Sequence, residues 1–259
     1  MNPLEASILA VVQGLTEFLP VSSSGHLALA SNMMNVPEGG LAYDIVLHLG
    51  TLVAVFAFYW KDIIALVRGI ILRERKSLIL GLTLVAGTIP VAIAGFLFGD
   101  FIGSLRSNML FISGALAFTG TILFFSGRIP SAGEPGITFK RGVLVGLAQT
   151  LAILPGVSRS GTTICTGLFA GLSREEAARF SFLLAIPAIL GAAVKELPSA
   201  NWSIPFSNII IGFLVSAVVG FGALALLVKF VKQGKLTGFA WYCWTVALAG
   251  LAFTVWGSY

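Results

Sequence analysis

Four stretches of this chain each run for more than twenty residues without a single charged side chain: Ser77–Gly99, Ser107–Gly127, Leu197–Val228 and Leu236–Tyr259. A helix crosses the ~30 Å hydrocarbon layer of a bilayer in ~20 residues, so each run is long enough to span one. The rest agrees. Of 259 residues, 57% are hydrophobic and 10% charged, against about 25% charged in an ordinary soluble domain. A membrane barrel would show alternating segments of ~10 residues, and the chain has none. The expected fold is therefore all-α and integral to the membrane, one polytopic bundle over 1–259.

Helical segments are expected at about 3–18 and 22–34, 42–60, 78–99, 108–127, 142–154 and 160–172, 175–196, 206–229 and 238–257. The connectors 35–40, 128–136 and 198–205 carry the Pro, Gly, Ser and Asn of turns. Ser173 with Glu176 predicts a capping box, Glu175 a favourable charge at the same helix start, and Pro90 and Pro187 predict kinks. The start, MNPLEAS, lacks the basic region of a removable signal. Cys165 and Cys243 sit in apolar segments as small buried residues, not as a disulfide or metal pair.

The net charge of +5 reflects topology rather than nucleic-acid binding. Basic residues gather at Lys61–Lys76, Arg128–Arg141 and Lys229–Lys235, with Arg174 and Arg179 joining them. Cytoplasmic loops carry such clusters. Only Arg106, Arg159 and Lys195 fall elsewhere.

Polar motifs interrupt this apolar background twice. Gln13–Gly25 and Gln149–Gly161 match at a constant offset of 136: Gln13/Gln149, Leu15/Leu151, Val21/Val157, Ser22/Ser158, Ser24/Ser160 and Gly25/Gly161. Half-segments of about 13 residues reach only ~20 Å, too short to cross. The reading is two re-entrant helical hairpins, whose non-helical tips survive at membrane depth only in protein or beside a water-filled cavity. Three spans separate them, an odd number, so the second copy is inverted. Repeat 1 covers about 1–127 and repeat 2 about 137–259, and broken elements of inverted repeats usually meet near the midplane.

The first tip offers Gln13, Glu17, Ser22, Ser23, Ser24 and His26, with Gln13 and Glu17 on one helix face. The second offers Ser158, Arg159, Ser160, Thr162 and Thr163 at a helix start, where free N–H groups and the dipole favour an anion. Its guanidinium can grip two oxygens at once. One tip that holds an anion and another that carries Glu, Ser and His suit phosphoryl transfer to water. A divalent cation on Glu17 and phosphate oxygens fits the same set. His48 and Asp44 belong to no second motif and read as packing or interface residues.

QGLTE (Gln13–Glu17), PVSSSGH (Pro20–His26) and PGVSRSGTT (Pro155–Thr163) resemble the motifs of the undecaprenyl-diphosphate phosphatases of the bacitracin-resistance type. The likeness continues through FSFLLAIP (Phe180–Pro187) and covers nearly the whole chain. It implies a phosphatase of the cytoplasmic membrane that converts a polyprenyl diphosphate to the monophosphate plus phosphate. That reaction recycles the lipid carrier of cell-wall glycans and confers bacitracin resistance. The resemblance further implies a divalent cation, Mg or Ca, and an active site open to the outer face. Carried over, Glu17 and Gln13 belong to the metal and acid–base motif, Ser23 and His26 to the catalytic centre, and Ser158, Arg159 and Thr163 to phosphate binding. Ser22, Ser24 and Ser160 extend the phosphate set. The nucleophile stays open between Ser23 and His26, with Ser23 favoured and His26 as proton carrier. The partners implied are the lipid substrate and membrane lipids, with a homodimer left open.

Two rivals stand beside this. Lipid phosphatases of the acid-phosphatase type need Lys-x6-Arg-Pro and His-x3-Asp elements, which are missing here; His26 and His48 are the only histidines. A lipid flippase would need the anion cradle but no nucleophile.

Overall fold

The computed structural model describes residues 1–34, 36, 40–129 and 136–256. Among them the ordered elements are twelve α-helices and one short 3-10 turn. The helices are α1 (Pro3–Phe18), α2 (Ser23–Met33), α3 (Gly40–Phe58), α4 (Trp60–Ile71), α5 (Arg75–Leu97), α6 (Gly99–Leu105), α7 (Met109–Ser126), α8 (Phe139–Leu151), α9 (Arg159–Phe169), α10 (Arg174–Glu196), α11 (Phe206–Lys232) and α12 (Thr237–Trp256). Four of these, α5, α7, α10 with its 3-10 extension, and α11, are long and apolar enough to cross a membrane; α3 with α4 would make a fifth if the bent pair counts as one. The chain is thus a multi-pass helical membrane protein.

Every expected segment is a helix, and two more exist. Lys61, Arg68, Arg73, Arg75 and Lys76 made the stretch after residue 60 read as a basic loop, yet Trp60, Ile64, Val67 and Ile71 recur at helical spacing and stand exposed. α4 leaves α3 at 75°. α6 is a single short piece beyond α5. Pro90 and Pro187 lie inside continuous helices. Ser173 caps α10 by accepting from the Glu176 N–H, but the Glu176 carboxylate turns to Arg179 at 3.2 Å instead of closing the box. Connector 198–205 is non-helical after its first turn; connectors 35–40 and 128–136, and residue 257, lie largely outside the described residues. Both cysteines are free and buried.

The basic loops meet at one end of the bundle. Arg179 Nε donates to Asp62 Oδ1 at 2.6 Å, Lys232 to Glu175 at 2.9 Å, and Arg174 to the Ile129 carbonyl at 3.4 Å. Arg106 and Lys195 meet Asp44 and the Gly95 carbonyl near the far ends of α3 and α10.

Apolar side chains face outward on α5, where Leu82, Val85, Ile89, Ile93 and Phe96 are exposed. Its buried face carries Thr83, Leu84 and Gly87. A Cβ on Gly146 of α8 would overlap the backbone of Gly87, so the two helices touch backbone to backbone, the small-residue packing of membrane bundles. Gly146→Ala is expected to cut the yield of monodisperse protein in detergent severely, read by size-exclusion chromatography, because neither backbone can retreat without unseating α8.

Candidate active site

Each motif sits at a bend between two short helices. α1 ends at Phe18, the chain turns through Leu19–Val21, and Ser22, at φ 70°, opens α2. α8 ends at Leu151, turns through Gly156 at φ 93°, and Ser158 opens α9. The two starts are built alike. The Ser22 and Ser158 hydroxyls accept from the N–H groups of Gly25 and Gly161 at 3.4 and 3.1 Å. Each also lies 3.2–3.3 Å from the second serine on, Ser24 or Ser160. This is N-capping, and it leaves amides of the first turn pointing out of the helix end.

The tips are held from behind by other helices. Gly14 lets α1 approach Val219 and Gly220 of α11. The Thr119 hydroxyl of α7 donates to the Gly156 carbonyl and accepts from the Ser158 N–H, both at 3.1 Å. On α12, Cys243 Sγ lies 3.7 Å from the Pro20 carbonyl.

The two tips meet. Ser160 Oγ donates to the Leu19 carbonyl at 3.3 Å, and Gly25 faces Gly156 across a gap that a Cβ would fill to 3.4 Å. Their main joint is polar: Arg159 NH2 donates to Glu17 Oε1 at 2.5 Å. Glu17 is almost wholly buried. Its other oxygen, Oε2, accepts from Ser23 Oγ at 2.7 Å and from Gln13 Nε2 at 3.2 Å, with His48 Nε2 3.7 Å away. One carboxylate therefore gathers α1, α2, α3 and α9.

Six buried side-chain polar atoms among the described residues have no hydrogen-bond partner, and five belong to the tips: Gln13 Oε1, both Gln149 atoms, Arg159 NH1 and Thr162 Oγ1. Native proteins leave few such atoms, each costing about 1–3 kcal/mol. Buried polar atoms of this kind are ordinarily met by water, an ion or a ligand. Gln13 Nε2 is the atom that faces Glu17 Oε2; turning the amide over would set its oxygen there instead, an oxygen pair suited to a hard cation.

The other expected residues are placed less directly. His26 makes no hydrogen bond to the Glu17 cluster. Its Nδ1 lies 2.8 Å from the Ser22 carbonyl, Nε2 2.8 Å from the Tyr242 hydroxyl, and the ring stacks on Tyr242. The Thr163 hydroxyl is fully buried and engaged by the Arg159 carbonyl at 2.7 Å and Ser181 Oγ at 2.6 Å. It ties α9 to α10. Conversely, His48 stands beside Glu17 rather than in mere packing. An ionisable residue in an apolar span was the signal for it. Tyr242, Thr119 and Ser181 gave no signal, since single polar residues on distant helices carry no spacing.

Fold and site together define a polytopic helical membrane protein in which two bends meet at a buried polar centre. Residues 6–249 match the family described as bacitracin resistance protein BacA, and the chain belongs to that family. It is 40% identical to the undecaprenyl-diphosphatase of Methanosphaera stadtmanae, over 98% of this chain and 99% of that one. The undecaprenyl-diphosphatase of Carboxydothermus hydrogenoformans is 41% identical over the full length of both, and that of Halothermothrix orenii 37% over 96% of both.

Proposed function

We propose that this protein is an undecaprenyl-diphosphatase, hydrolysing undecaprenyl diphosphate to the monophosphate and inorganic phosphate. The observation that carries the reading is the Glu17–Arg159 joint: an acid–serine bend and a guanidinium bend, far apart in sequence, share one buried polar centre. The isoprenoid tail can stay in lipid while its diphosphate enters between the tips.

The chemistry follows from which groups touch. Arg159 keeps NH1 unpaired, so it can bind a phosphate oxygen while NH2 holds Glu17. The amides at the α2 and α9 starts, with Ser22, Ser24, Ser158 and Ser160, would surround the transferring group; Thr163 supports them by fixing α9. Ser23 Oγ already donates to Glu17 Oε2. Ser23 is then the nucleophile: its oxygen bonds to the terminal phosphorus, its proton passes to Glu17, and the anhydride P–O bond breaks, releasing the lipid monophosphate. Water next attacks the phosphorus of the phosphoserine, the Ser23 Oγ–P bond breaks, Oγ takes back the proton held by Glu17, and the water's protons leave with the phosphate. In this scheme Glu17 moves the proton, and His26, stacked on Tyr242, orients the start of α2.

Gln13 Oε1 and Glu17 would hold a divalent cation, Mg or Ca by family resemblance, together with diphosphate oxygens. No three His, Cys, Asp or Glu side chains among the described residues group to hold a metal, so the substrate's oxygens are needed to complete the shell. The cation would supply charge neutralisation on the diphosphate.

The finer architecture follows the same reading. α1, α2, α8 and α9 have 16, 11, 13 and 11 residues, none long enough for a ~30 Å crossing at 1.5 Å per residue. They are re-entrant hairpins. Mapping α1, α2, α3, α5 and α7 onto α8, α9, α10, α11 and α12 supports an inverted repeat, because packing maps with it. α1 packs on α11 as α8 does on α5, α3 on α11 as α10 does on α5, and α7 packs on its own counterpart α12. The clustered basic loops support a cytoplasmic assignment for that end and an outward-opening site in the cytoplasmic membrane.

Purified protein in detergent should release phosphate from undecaprenyl diphosphate, and excess chelator should suppress release at least ~10-fold. No release at any metal concentration would leave lipid transport as the better account.

A further inference from the structure

We propose that His48 is a metal ligand, completing with Glu17 and Gln13 a three-point site whose nitrogen donor favours a cation of the Mn2+ type. This deepens the phosphatase reading and rests on it for the purpose of the cation, but is tested without substrate.

His48 Nδ1 lies 2.7 Å from the Asp44 backbone carbonyl. A carbonyl only accepts, so Nδ1 carries the hydrogen, and in the neutral ring Nε2 is left with a lone pair. Metal-ligating histidines are commonly fixed this way, through the far ring nitrogen. The contrast with His26 is direct. That ring has the same Nδ1 contact, to the Ser22 carbonyl, but its Nε2 is occupied by the Tyr242 hydroxyl.

That lone pair faces the Glu17 carboxylate. Nε2 is 3.7 Å from Glu17 Oε2. That is too long for a hydrogen bond, and with the ring neutral it sets two electron-rich atoms against each other with nothing between. Two ligands of one cation, each about 2.1–2.2 Å from it, are separated by roughly 3–3.7 Å at angles of about 90–120°. Gln13 adds the third point: the residue is fully buried, its Nε2 lies 3.2 Å from the same Glu17 oxygen and its Oε1 has no partner, so turning the amide over sets the oxygen on the cation side.

Glu17 and Arg159 neutralise each other, so the pair alone offers no net positive charge to a diphosphate. A dication on the Oε2 side, away from the Arg159 contact on Oε1, restores it. Magnesium and calcium prefer oxygen throughout; one imidazole tips the site toward a transition ion, and manganese is the one that keeps the oxygen preference of the other two donors.

The test is Mn2+ binding by the purified full-length protein in detergent, followed by the loss of the aqueous Mn2+ spin-resonance signal. Pulsed measurement of nitrogen coupling to the bound ion accompanies it. Wild type should bind Mn2+ more tightly than Mg2+ in competition and show imidazole nitrogen coupling. His48→Gln should weaken Mn2+ binding at least ~10-fold, abolish the coupling and lose the preference over Mg2+. His26→Gln should keep the coupling. Size-exclusion profile and Tm of each variant establish that it is folded. Unchanged Mn2+ affinity in His48→Gln, or wild-type Mn2+ bound without nitrogen coupling, overturns the proposal; the second result would make His48 a protonated partner of Glu17. Either could occur with phosphate release intact, so failure here is distinct from failure of the phosphatase reading.

Discussion

Arg159→Ala abolishes phosphate release from undecaprenyl diphosphate, with kcat/KM falling at least ~10³-fold, since removing a single oxyanion donor already costs ~10²–10³-fold. The guanidinium does two things no neighbour can replace. NH2 fixes the Glu17 carboxylate across the tips, and NH1 is the unpaired buried donor available to phosphate. Truncation also leaves Glu17 buried without its cation, so lost activity could reflect lost structure. Arg159→Lys separates the two. It keeps the charge beside Glu17 but has no fork with which to hold a carboxylate and a phosphate together. A variant that elutes and melts like wild type, yet turns over at a few per cent of its rate or less, assigns the guanidinium to the reaction. Wild-type turnover in folded Arg159→Ala would remove the cradle.

How much of this was readable beforehand depended on the length scale of the signal. The spans announce themselves because lipid excludes charge over twenty residues at a time, which α5, α7 and α11 satisfy. The tips announce themselves because Gln, Ser and Gly at fixed offset are improbable in such a background. α4 was hidden by the same rule that found the topology: Lys61 and Arg68, with Arg73, Arg75 and Lys76, marked a basic loop, although Trp60, Ile64, Val67 and Ile71 form a helical stripe. Side-chain direction was beyond the sequence. His26 lies within a motif and turns to Tyr242, whereas His48 lies outside any motif and turns to Glu17. Which way each ring points is set by packing of α2 against α12 and of α3 against α1, contacts between segments distant in the chain.

Glu17→Gln is the sharper test, because it changes one charge and almost no volume. Gln can still accept from Arg159 or Ser23 through its single oxygen, so the joint between tips keeps its shape. It cannot take the Ser23 proton, hold a cation with comparable strength, or neutralise the guanidinium. Turnover is expected to fall ~10³-fold, within the ~10²–10⁴ contributed by a general base, and stimulation by divalent cations should disappear with it. Stability should fall too. Removing one member of a buried ion pair leaves the other uncompensated, at a cost of about 3–5 kcal/mol, which a lower Tm in detergent would register. Arg159→Gln made alone should behave similarly. The double variant Glu17→Gln/Arg159→Gln has no stranded charge, so it should melt above either single variant while remaining as inactive. That pattern, stability regained without activity, distinguishes a joint used for chemistry from one used only to hold the tips together. Should Glu17→Gln retain turnover within ~10-fold of wild type and keep its metal response, the carboxylate is structural, and both the proton route through Glu17 and the cation site beside it are wrong.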